Sequence, residues 1–150
     1  MVQKLRERSQ GEGGFTLVEL LVVMLILGLL AAIAIPSFFN QRDKARDADA
    51  KAGVRTAQTA METYATDNQG SYVGAADTDL ETIEPTLNDV DLQPPANLGA
   101  ATYTVQVNSD TGNSFRIERA ANGQVQYECD TVDTDGCPAD TDADGDGNWG

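Results

Sequence analysis

One carboxylate, Glu19, lies inside an apolar stretch, four residues after a Gly14-Phe15 junction. An ionised group at membrane depth costs a few kcal/mol and is retained where an opposite charge or a function answers it. Glycines 13 and 14 precede the apolar run rather than follow it. A secretory signal places its small-residue cleavage site after the apolar core, so a cut at Gly14 would leave that core on the mature chain. Two further groups could do chemistry. Cys129 and Cys137 allow one intramolecular pairing, and in a chain that crosses a membrane this reads as a disulfide outside the cytoplasm. Asp140, Asp142, Asp144 and Asp146, with Gly145, reproduce the opening half of an EF-hand loop. The bidentate glutamate of such a loop would fall past Gly150, so calcium is expected only in an oxygen-rich site of another shape. A solubilising acidic tail is the simpler reading of the same residues.

Composition narrows the function. The formal net charge is −14. Residues 1–14 hold three of the ten cations and two of the twenty-four acids, so the acidity belongs to the rest of the chain. That balance argues against direct nucleic-acid binding, which needs a basic face to meet phosphates. With no histidine and no nucleophile motif, an enzyme is a poor reading.

The elements that position these residues follow from hydropathy. From Leu20 to Ile35 there are sixteen consecutive apolar or small residues. As a helix, residues 15–35 would span about 31 Å, close to the hydrocarbon thickness of a bilayer. The run is apolar on every face, which favours membrane insertion over a buried core helix. Its basic leader should stay cytoplasmic and the C-terminal bulk outside. Gly28 and Pro36 are the candidate kink positions.

Helical character resumes beyond Pro36. Val54, Ala57, Met61, Tyr64 and Ala65 recur at helical spacing. Arg42, Asp43, Lys44, Arg46, Asp47, Asp49, Lys51 and Arg55 form a mixed-sign belt. It reads equally as a solvated face or as lateral contact with copies of the chain. The helix should stop near Asp67–Gly70, with Gly70 or Asn68 taking the left-handed position. Residues 71–100 read as loop with a short helical turn around 79–84. Three alternating stretches, 101–108, 114–120 and 123–130, read as strands joined by tight turns. Tyr103, Val105, Val107, Phe115, Ile117, Val125 and Tyr127 should face the helix. The expected fold class is α+β, a long N-terminal helix packed against a small antiparallel sheet. Four regions are expected: a leader at 1–14, a hydrophobic helix at 15–39, its amphipathic continuation at 40–68, and a globular head at 69–150.

Gly14-Phe15-Thr16-Leu17-Val18-Glu19 and the apolar run resemble the class III signal of type IV pilins and type II secretion pseudopilins. The resemblance continues through Pro36 and through Met61–Tyr72, where Val73 stands in place of the family's proline. It covers roughly half of the chain. It implies cleavage after Gly14 by a membrane prepilin peptidase, N-methylation of Phe15, and assembly of the helices into a filament core. The partners it implies are the chain's own copies, that peptidase, and an inner-membrane assembly platform with its ATPase. The freed Phe15 amine of one copy and Glu19 of a neighbour would then neutralise each other. The resemblance also implies a membrane precursor, with the polymer at the cell surface. The Cys129/Cys137 pair looks like the C-terminal disulfide loop of pilins. The ending Asp144–Trp149 looks instead like the calcium segment of major pseudopilins. The first expectation is a structural subunit of an extracellular pilus used for adhesion, motility or DNA uptake, with no cofactor. The alternative is a secretion pseudopilin with a calcium-stabilised head.

Overall fold

The computed structural model describes residues 14–130, 136–138 and 147–150. The chain separates into two units at Phe39/Asn40. In the first, Gly14–Phe39 is exposed throughout except for a half-buried Ala31. Helix α1 (Leu17–Asp67) begins here and continues through Gly28 and Pro36. Pro36 supplies no N–H to the carbonyl one turn earlier. By length and composition this helix is able to cross a membrane.

In the second unit α1 buries one stripe: Asp47, Ala50, Gly53, Val54, Ala57, Ala60, Met61 and Ala65. The steps of three and four residues place all eight on one face. The helix ends where the Gly70 N–H reaches back to the Ala65 carbonyl at 2.7 Å. That bond puts Gln69, at φ 61°, and Gly70, at φ 83°, in the left-handed region. Asn68, one of the two residues expected there, instead donates its side-chain amide to the Tyr64 carbonyl at 2.9 Å.

Helix α2 (Asp77–Ile83) and a 3-10 turn (Pro85–Asp89) follow, each anchored by one buried leucine, Leu80 and Leu87. Five antiparallel strands then run in sequence order: β1 (Asp91–Leu92), β2 (Tyr103–Asn108), β3 (Ser114–Arg119), β4 (Val125–Cys129) and β5 (Gly147–Asn148). The register aligns Val105 with Ile117 and Ile117 with Tyr127, and Val107 with Phe115 and Phe115 with Cys129. Period-two alternation thus delivers one apolar face of the sheet to the core. Tyr103, Val105, Val107, Phe115 and Ile117 are fully buried, while Val125 and Tyr127 pack at the margin.

The sequence pattern predicts three strands where the sheet has five. Two-residue strands such as β1 and β5 hold at most one alternation and leave no periodic signal. Cys129 at the end of β4 is bonded to Cys137, and β5 lies against the same end of β4, pairing Cys129 with Gly147. Gly53 lets α1 approach the residue that leads into β1, since a Cβ there would lie 3.2 Å from the Val90 side chain.

Phe115 is central to this packing. Phe115→Ala should cost about 3–5 kcal/mol, the usual penalty for emptying an aromatic core site. Chemical denaturation of the detergent-solubilised chain, followed by near-UV circular dichroism, measures it.

Candidate functional site

At the start of α1, Thr16 and Glu19 complete each other. The Thr16 N–H and hydroxyl both donate to Glu19 Oε2 at 2.9 Å, and the Glu19 N–H donates back to the Thr16 hydroxyl at 3.2 Å. This is a capping box, in which a threonine before the first turn and an acid three residues on satisfy the helix's free N–H groups. The Thr-x-x-Glu spacing before an apolar run was a legible signal for it, and one that the reading of Glu19 as a charge passes over. Phe15 is 81% exposed beside this cap, and a Cβ on Gly14 would meet nothing within 4 Å. The junction is therefore open on both of its sides.

In the second unit the best-built polar site surrounds Asp47, whose exposure is 0%. Its Oδ1 accepts from the Thr111 hydroxyl at 2.5 Å. Its Oδ2 accepts from the Asn113 amide at 2.7 Å and from the Gly136 N–H at 2.9 Å. The Ser109 hydroxyl lies 3.1 Å from that of Thr111. The β2–β3 turn, Ser109–Asn113, thus points two of its polar side chains, Thr111 and Asn113, at one carboxylate. The peptide of Gly136, next to the disulfide, completes the set. One helical turn on, Lys51 donates to the Gly136 carbonyl at 2.5 Å. Asp47 and Lys51 therefore hold opposite ends of the Gly136 residue. Only glycine fits there, since a Cβ would lie 2.5 Å from the Asp47 Cβ.

The sequence reading places Asp47 in a solvated or inter-copy charge belt; the structure buries it inside the head. The reason is positional. Stepping back from Met61 through Ala57, Val54 and Ala50, the buried stripe reaches Asp47. That periodicity was readable, but its donors, 64 to 89 residues away, were not. Lys51 and Arg55 also leave the belt. Lys51 sits 5.2 Å from the Phe115 ring centre and 5.5 Å from that of Trp149, and Arg55 lies 5.2 Å from Trp149. Trp149 donates its indole N–H to the Glu128 carbonyl at 2.7 Å.

Glu62 is a second polar anchor. It accepts from the Tyr72 hydroxyl at 2.8 Å, the Tyr103 hydroxyl at 3.0 Å and Arg119 at 3.4 Å. Burial first, and then the negative Glu62, push both tyrosine hydroxyls above their ordinary pKa.

The expected sites are thus distributed. Gly14, Phe15 and Glu19 meet at one junction, and Gly28 and Pro36 lie farther along the same helix. Cys129 and Cys137 are joined beside the Asp47 site. Asp140, Asp142, Asp144 and Asp146, the expected calcium ligands, lie outside the described residues. Among the described residues, no group of three or more His, Cys, Asp or Glu is placed to hold a metal.

Residues 10–35 match the prokaryotic N-terminal methylation motif. Residues 36–133 match the family described as type IV minor pilin ComP, DNA uptake sequence receptor. The chain belongs to this pilin family. Among its relatives, the type II secretion system core protein G of Pseudomonas aeruginosa is 39% identical over 57 residues, 38% of this chain and 40% of that protein. The type IV major pilin protein PilA of Myxococcus xanthus is 41% identical over 51 residues, 34% of this chain and 23% of that protein. The competence protein ComGC of Halalkalibacterium halodurans is 35% identical over 57 residues, 38% of this chain and 56% of that protein. The chain thus spans less than two thirds of the length of each of these relatives.

In the pilin head, Asp47 ties pH to stability. Burial alone would raise its carboxyl pKa, but the hydrogen bonds from Thr111, Asn113 and Gly136, with the Ser109 hydroxyl close by, outweigh that and hold it below the ordinary aspartate value. A depressed native pKa means that the contribution is full above the unfolded pKa of about 4 and is lost as pH falls through the native value. Asp47→Ala should lower stability at pH 7 by about 3 kcal/mol by stranding its donors. Denaturant titrations at pH 7 and pH 3 check this, and the gap between variant and wild type should shrink at the lower pH.

Proposed function

We propose that the chain is a structural subunit of an extracellular type IV pilus. In this reading it is a single-pass membrane precursor with its C-terminus outside. It is cut after Gly14, methylated on the Phe15 amine, and polymerised through the helix that follows. Residues 1–14 are then the leader, 15–39 the membrane and polymer helix, 40–68 its amphipathic continuation, and 69–150 the head. The observation that carries this reading is the large apolar surface of Phe15–Phe39, exposed in its own chain and opening inside a match to the methylation motif. Such a surface needs lipid or other copies to cover it. The proposed partners are copies of the chain, a prepilin peptidase, an assembly platform and its ATPase.

Glu19 takes two roles in succession. In the precursor its carboxylate closes the Thr16 cap. After cleavage it is available to the Phe15 amine of a neighbouring copy, where opposite charges offset each other's desolvation. The family description names a DNA uptake sequence receptor. The net charge of −14 weighs against contact of this subunit with DNA phosphates, and no nucleic acid is assigned to it.

A second reading, a major pseudopilin of a type II secretion system, is favoured by the relatives named core protein G. It would call on the Asp140–Asp146 segment to bind calcium, and the head's melting temperature separates the two. Under the pilus reading, a calcium chelator leaves melting unchanged and electron microscopy finds long filaments on the cell surface. A fall in melting temperature with no surface filaments would favour the secretion reading.

Mass spectrometry of assembled material should find Phe15 as the N-terminus, bearing one methyl group. Detection of residues 1–14 there would reject the processing step. Glu19→Gln keeps the capping box and removes the charge, whereas Glu19→Ala removes both. Both variants should insert in the membrane, and both should lose filament yield by about ten-fold or more, as an unanswered buried amine costs. Normal yield from Glu19→Gln alone would reduce Glu19 to a helix cap.

A further inference from the structure

The cations of the head are few, and most are engaged within it. Lys51 holds Gly136, and Arg55 stacks on Trp149. Arg116 pairs with Glu128 and Asp130, and Arg119 with Glu62. Three remain on the exposed start of the second unit, Arg42, Lys44 and Arg46. Arg42 makes no ion pair among the described residues, and Arg46 has only a 3.9 Å approach to Asp43. Arg42 and Arg46 stand one helical turn apart on α1, where like charges repel by a few tenths of a kcal/mol.

The opposite charge is concentrated elsewhere. From Thr56 to Phe115 there is no Lys or Arg. Within that span Asp77, Glu81 and Glu84 fall at intervals of four and three, on one side of α2 and its C-terminal end. All three are partly exposed, and none makes an ion pair among the described residues. Asp79, by contrast, is occupied in capping the helix, accepting from the Ala76 N–H at 3.0 Å. Glu81 and Glu84 lie toward the negative end of the helix dipole, where acids are disfavoured. Two self-repelling ridges of opposite sign, each with one-turn spacing, therefore sit on different parts of the same molecule.

We propose that the Arg42/Arg46 face of α1 docks on the Asp77/Glu81/Glu84 ridge of a second copy. Apposed, each ridge relieves the other's repulsion. A contact between two different patches of identical subunits is heterologous, the kind that propagates into an open helical filament instead of closing a dimer. This rests on the pilus reading above and adds to it the surface that sets subunit register outside the apolar core.

The test is charge reversal in the full-length chain, in cells that assemble it. Arg42→Glu/Arg46→Glu and Glu81→Lys/Glu84→Lys are made separately and together. Sheared filaments are quantified against total subunit, and melting temperature is the control for folding. The acidic-ridge variant suits its helix dipole and should fold at least as well as wild type. Each reversal alone should cut filament yield about ten-fold, the effect of roughly 1.4 kcal/mol at each contact, and the combination should restore it. The proposal is overturned if either reversal leaves yield within about two-fold of wild type, or if the combination fails to restore it with melting unchanged. Loss with the arginine variant only would assign that face to another acidic partner, such as an anionic lipid headgroup, and also overturn it. Absence of filaments from wild-type cells would instead remove the pilus reading itself.

Discussion

A carboxylate taken out of water must be surrounded by donors, and the head is organised around how Asp47 meets that demand. Three donors from two segments converge on it: Thr111 and Asn113 from the β2–β3 turn, and Gly136 beside the disulfide. The polar side chains of the turn and the close approach of Gly136 both serve that convergence. A hydrophobic residue at the same point would pack against the sheet but could not specify which turn sits over it. The cation of Lys51, one turn on, takes the other end of the same glycine. It rests against Phe115 and Trp149 in place of water.

A second carboxylate, Glu62, repeats the device fifteen residues along the helix, about 22 Å farther at the helical rise. It gathers the hydroxyls of Tyr72 and Tyr103. Between these anchors the seam is built of Ala50, Gly53, Val54, Ala57, Ala60 and Met61. Mostly small residues let the sheet approach the helix closely, so backbone proximity and two polar anchors do what a thick apolar core does in larger domains. At Gly53 a Cβ would come within 3.2 Å of the Val90 side chain, just before β1.

The first unit obeys a different constraint. Among the described residues its side chains from Phe15 to Phe39 are exposed, Ala31 being half-buried, so no face is set apart by a core. Lipid or identical helices, which are apolar from every direction, suit a segment of this kind. At its start, the Thr16–Glu19 box shows that one acid can be conformationally useful before any charge partner arrives. Family membership, the methylation motif and this uncovered helix are what support the proposed pilus subunit.

Local patterns carried much of this into the sequence. The sixteen-residue apolar run, the Gly14-Phe15 junction, the alternation of Tyr103, Val105 and Val107, and the helical spacing of Val54, Ala57 and Met61 are all short-range, and each names its own element. The resemblance to pilins rested on the same local signals. What only the tertiary structure decided is what long-range contacts decide. Asp47 looks like one more surface charge until donors 64 to 89 residues away are brought to it. Glu62 is likewise unremarkable until Tyr103, 41 residues on, reaches it. β1 and β5 are too short to be written as a period and exist because β2 and β4 offer them an edge. Side-chain period is a property of neighbours in the chain, and burial of a charge is a property of neighbours in space; only the fold brings the second kind together.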